Sequence, residues 1–151
     1  MKTHFRMDIN FIIQQLDAAT GKVKKEERVH NQVVDDGLDR VAALIGGLSS
    51  AEFDYVGIGT DNTTETSTDT ELGTEFTRIG VTPTVEGTGS IKYDHTFTVG
   101  SGVSEDIVEA GLFDQATVSG STMLNRATFT QFTLDVSNPV RIVIFINVTT
   151  S

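Results

Sequence analysis

The carboxylates of one polar stretch are the residues best suited to chemistry. Residues 60–70 run Thr-Asp-Asn-Thr-Thr-Glu-Thr-Ser-Thr-Asp-Thr without a single apolar side chain. A long loop that gathers several carboxylate oxygens suits Ca²⁺, a hard cation with oxygen ligands. Asp61, Glu65 and Asp69 are therefore candidate metal ligands, with Glu71 just beyond them. Their spacing lacks the Gly-anchored pattern of an EF-hand, and a solvated acidic loop is the plainer reading.

Other groups are less promising. Glu105, Asp106 and Glu109 have the residue types of a glycosidase pair, but strand positions two or four apart share a face without forming a cleft. His4, His30 and His95 show no spacing that brings two imidazoles together. Gly57-Ile58-Gly59-Thr60-Asp61-Asn62 resembles the start of a dinucleotide loop, yet has Asn62 at the third glycine position and no helix behind it; a strand end is the better reading. With no Cys, thiol catalysis, thiolate metal sites and disulfides are excluded. No catalytic constellation emerges, and no cofactor is expected apart from Ca²⁺ at the acidic loop.

The elements that must position these residues are mostly strands. Phe5, Met7, Ile9, Phe11 and Ile13 alternate with polar residues, the period of a half-buried strand. Asp17–Lys22 supplies turn chemistry, so a second strand over 23–34 should pair back as a hairpin. The period then changes: Leu38, Val41, Ala42, Ile45 and Leu48 share a helix face that Asp35 or Asp36 can cap and Gly46-Gly47 can end. This helix should lie across the open face of a sheet.

Short strands follow over 53–59, 75–86, 90–99, 105–113, 121–129 and 139–149, separated by turns such as Glu86–Gly89 and Ser119-Gly120. The run Ile142–Ile146 is apolar on both faces and should be central, covered by the helix or by a second subunit. The expected fold is mainly β: an antiparallel β-sandwich, jelly-roll-like, with an N-terminal β-hairpin and one short helix.

A chain of 151 residues fits one folding unit. A net charge of −10 argues against a nucleic-acid partner, and Lys22, Lys24 and Lys25 are offset at once by Glu26 and Glu27. No apolar run approaches the ~18 residues of a membrane span, and no signal-peptide pattern opens the chain, so synthesis and folding in a cytoplasm are expected.

Several segments in succession carry a resemblance. They are Asp17–Lys22; His30–Val34 leading into Gly37–Ala42; Tyr55–Thr60 with Glu71–Arg78; and Glu109–Asp114 before Met123–Ala127. This order is similar to small virion structural proteins of tailed phages and related archaeal tailed viruses. The resemblance implies a head decoration, cement, turret or tail accessory protein, found in the virion after synthesis in the host cytoplasm. It implies a symmetric homo-oligomer, a trimer first, that contacts the major capsid protein or other virion proteins. Residues 1–34 would form an arm lying on the 35–151 sandwich or on a neighbouring subunit, with Phe5, Met7, Ile9, Phe11 and Ile13 as interface residues. Removing residues 1–16 would then weaken assembly more than folding. The competing expectation is a tail or baseplate module that binds a host receptor or glycan, for which Tyr55 and Tyr93 are the only polar aromatics.

Overall fold

The computed structural model describes residues 3–150. Ten strands and one helix follow the chain: β1 (Phe5–Leu16), β2 (Val23–Val29), β3 (Gln32–Val33), α1 (Asp35–Ile45), β4 (Tyr55–Gly59), β5 (Glu75–Gly80), β6 (Thr84–Gly87), β7 (Ser90–Phe97), β8 (Ser104–Phe113), β9 (Met123–Asp135) and β10 (Val140–Thr150). They form two five-stranded sheets, sheet A in the order β2-β1-β10-β7-β6 and sheet B in the order β3-β9-β8-β4-β5. All pairings are antiparallel, so the mainly β sandwich with one short helix is the observed fold.

The alternation in β1 places Ile9, Phe11 and Ile13 inward, where they meet Ile142 and Ile144 of β10 and, from sheet B, Ile58, Ile107, Leu112, Phe132 and Leu134. Each such buried side chain contributes roughly 1.5–3 kcal/mol. Asp17 makes the β1–β2 turn: its carboxylate accepts the Ala19 and Thr20 N–H groups, and Gly21 takes φ 70°. The last strand is central, as its two apolar faces require.

In this packing β1 and β2 belong to sheet A and β3 to sheet B. β1 lies between β2 and β10, and Phe11 and Ile13 are fully buried in the chain's own core. The reason is register: β10 pairs with β1 from Phe5 to Gln15, so removing residues 1–16 strips the neighbour from a central strand.

Two expected strands are broken. After Val29 the chain crosses from sheet A to sheet B through His30 and Asn31, and the stretch 75–86 divides at 81–83, where Pro83 supplies no N–H to a ladder. The helix also differs in detail. Val34 is its N-cap and makes no side-chain cap bond, while Asp35 and Asp36 sit in the first turn beside the positive end of the helix dipole. It packs on β9 rather than on β10, with Gly37 against the Leu124 backbone, where a Cβ would come within 2.5 Å of the carbonyl oxygen. Leu38, Ile45 and Leu48 are left exposed.

Candidate functional site

The most polar interior of the molecule lies on the outer face of sheet B, beneath the loop 60–74. A bulge in β8 between Ile107 and Glu109 resets the alternation, so Ala110 and Leu112 face the main core while Glu109, Gly111 and Phe113 face the loop. Glu109 is fully buried. Its Oε2 accepts the Arg126 Nε–H at 2.8 Å and the Gly73 N–H at 2.9 Å; its Oε1 accepts the N–H groups of Thr74 at 2.9 Å and Asp61 at 3.2 Å. One carboxylate thus holds both ends of the loop.

Arg126, on β9, is 3% exposed and faces three acids. Besides Glu109 it donates to Asp69 Oδ2 at 3.1 Å and to the Asp61 carbonyl at 3.4 Å, with Asp61 Oδ1 at 3.5 Å. Burial is the largest single influence and works against its charge, but the bonds and attraction of Glu109 and Asp69 together outweigh it and hold the guanidinium above its ordinary value. Asp61 is held below the usual carboxylate range, first by hydrogen bonds from Thr63 and then by Arg126. At Asp69, burial pushes upward and is overcome by bonds from Thr66 and Arg126, leaving a net lowering. Glu65 is engaged separately, accepting the Thr128 hydroxyl at 2.5 Å.

The three candidate metal ligands are therefore brought to one side of sheet B, but Asp61 and Asp69 face a guanidinium and Glu65 a threonine. Among the described residues, no group of three or more His, Asp and Glu side chains is arranged around a cation position. The glycines of 57–59 serve the same cluster. A Cβ at Gly59 would collide with the Glu109 carboxylate and the Thr74 carbonyl, and one at Gly57 would come within 2.8 Å of the Phe113 ring. That ring carries Arg78 on its face at 3.7 Å, and Arg78 in turn forks onto Glu75 at 2.7 and 2.8 Å. Val34, Leu72, Phe113 and Met123 complete a small second core under the loop.

A polar relay links the two sheets. Leu112 N–H donates to Asn125 Oδ1 at 3.2 Å, Asn125 Nδ2 to Asn31 Oδ1 at 3.0 Å, and Asn31 Nδ2 to the Ile9 carbonyl at 2.6 Å. Among the described residues no buried side-chain nitrogen or oxygen lacks a partner. Asp106 accepts the Thr133 hydroxyl, and His95 packs edge-on against Phe97, where burial lowers its basicity against the pull of Asp94.

The surface offers two further features. A cleft of about 310 Å³ opens on the outer face of sheet A where β2 leaves β1, with Ile12 and Phe145 as apolar lining and Asn10, Arg28, His30 and Asn147 as polar lining. Elsewhere, on the inner face of sheet A, Phe5 is 63% and Val85, at the far edge strand, 81% exposed. Of the five candidate interface residues, Ile9, Phe11 and Ile13 lie inside the core, Met7 is half-buried and Phe5 is exposed.

The sequence reading missed the Glu109–Arg126 pair. Its one signal was a charge within each of two largely apolar runs, Ile107–Phe113 and Met123–Phe129. No protein-family model, curated protein or solved structure matches the chain. No helix among the described residues is long and apolar enough to cross a membrane.

Proposed function

We propose that the chain is a virion structural protein, a head decoration, cement or turret component that stabilises a tailed-virus particle through protein–protein contacts as a symmetric homo-oligomer. The observation that carries this reading is where the chain places its polar and apolar groups. Interior charges are committed to pinning a loop, while large apolar side chains stay in water at Phe5, Val85, Leu38, Ile45 and Leu48. These side chains, on sheet A and on and just after the helix, are available for contact with another protein. The serial resemblance to virion proteins supplies the setting, and the acidic surface keeps a high-copy component soluble.

The test is native mass by light scattering on a size-exclusion column. A discrete closed oligomer is expected; a strict monomer at all accessible concentrations would remove the homo-oligomer from this reading.

A second reading, a tail module for a host glycan or receptor, is favoured by the sheet A cleft, where Phe145 lies among Asn10, Asn147, Arg28 and His30. An aromatic face with amides and a cation around it suits a sugar ring. Glycan binding abolished by Phe145→Ala with an unchanged oligomer mass would favour this reading over the first.

A further inference from the structure

β1 is longer than its neighbour on one side. It pairs with β10 from Phe5 to Gln15 but with β2 only from Phe11 to Leu16, so its first half overhangs as an open edge. The direction of its backbone groups follows from the register. Met7 faces Val148, and the Val148 N–H donates away from β1 to the Gly89 carbonyl at 2.7 Å. Residues opposite each other in an antiparallel pair exchange both bonds or neither. The N–H and C=O of Met7, and of Phe5 two residues earlier, therefore point out from the edge. Asn31 closes this edge at Ile9 by donating to its carbonyl.

We propose that the Phe5–Asp8 edge of β1 adds antiparallel to the same edge of a second copy of this chain, joining two sheets A into one continuous sheet across a two-fold axis at Met7. This deepens the homo-oligomer reading by naming its surface and partner. Charge complementarity selects the register. With Met7 opposite its own copy, Arg6 stands opposite Asp8 of the second copy and Asp8 opposite its Arg6. Within one chain these two side chains pair with each other at 2.9 Å on the outer face, exposed by 70% and 41%. Shifting the axis by one residue, to Arg6, would set arginine against arginine, and like charges directly opposite are destabilising. On the inner face the same register gathers Phe5 and Met7 of both copies beside each other. The β2 edge, by contrast, carries Lys24, Lys25, Glu26 and Glu27, the charged residues that guard an edge against pairing.

Two kinds of variant test this. The chain has no Cys, so Met7→Cys introduces a unique thiol on the two-fold axis, within disulfide range of its copy. Oxidation is expected to give a covalent dimer far faster than it does for Val136→Cys, whose position is an exposed turn. Met7→Pro removes an N–H that makes no bond to β10 and should weaken self-association by about tenfold or more. Because that variant can fail to fold, Arg6→Asp and the double exchange R6D/D8R provide the second arm: the single change weakens association and the exchange restores it.

Equal cross-linking at both cysteines, a closed trimer, or an association constant unmoved by R6D would overturn the edge. An oligomer insensitive to every β1 variant would do so while leaving the assembly reading standing. A chain that stays monomeric yet co-purifies with particles would also overturn the edge alone.

Discussion

Glu109 and Arg126 meet at 2.8 Å across β8 and β9 with both side chains shielded from water, and the backbone of the loop 60–74 supplies the remaining bonds to the carboxylate. A buried ion pair of this kind contributes little net stability against an apolar replacement, because desolvation offsets attraction. Its consequence here is positional, since a loop with almost no apolar anchor is held in one place.

Arg126→Met should therefore cost roughly 3–5 kcal/mol by leaving Glu109 buried without its cation. Urea unfolding checks the stability loss. Hydrogen exchange at the Gly73 and Thr74 amides should rise by more than in the sheet strands. The pair replacement E109L/R126M should recover part of the stability but not the protection of those two amides.

Gly37→Ala should destabilise the fold although alanine favours a helix by about 1 kcal/mol in an open position. The added Cβ meets the Leu124 backbone, which cannot swing aside as a side chain can. Gly46→Ala, whose Cβ has room, should have a much smaller effect. Thermal midpoints of the two variants, measured side by side, decide the point.

Acid should act in two steps. The His95 pKa is lowered by burial, so the fold favours the neutral ring; that contribution is complete above about 6.5 and is lost as pH falls below it. Asp94, bonded to Arg141, and Asp69 are held below the ordinary carboxylate value, so their contributions persist to about 3.9 and disappear as pH falls through the lower folded values. Denaturant midpoints across this range should decline shallowly first and steeply afterwards. His95→Gln should flatten the first step only.

Calcium at millimolar concentration should leave the thermal midpoint unchanged. Asp61 and Asp69 already face Arg126, and a cation entering there would have to displace a guanidinium. In Arg126→Met the same acids lose that neighbour, and a Ca²⁺-dependent rise confined to this variant would show that the guanidinium occupies the cation's place. A rise in the unaltered protein would contradict this geometry.

Deleting residues 1–16 should unfold the chain rather than release a folded monomer. Phe11 and Ile13 leave the core, and β10 loses its pairing from Val140 to Thr150. Circular dichroism of the truncated chain checks this directly.

Local signals made much of the fold legible. The alternation of Phe5 to Ile13 marked β1, Asp17 and Gly21 marked its turn, and the two-sided apolar run at Ile142–Ile146 marked a central strand. What stayed hidden depends on partners distant in the chain. Asp61 and Asp69 meet Arg126 only because β9 returns beneath the loop, more than fifty residues later. Ile9 and Phe11 read equally well as core or interface, since periodicity gives a face and not what covers it; the cover comes from sheet B. The helix face was also misleading: Leu38 and Ile45 keep the helical spacing yet point to water, while Gly37 makes the close contact.

The central claim, that this chain is a building block of a virus particle, is tested most directly by quantitative mass spectrometry of purified particles. The chain is expected in fixed stoichiometry to the major capsid protein, retained through salt washes. Abundance in infected-cell lysate with absence from the particles would contradict it.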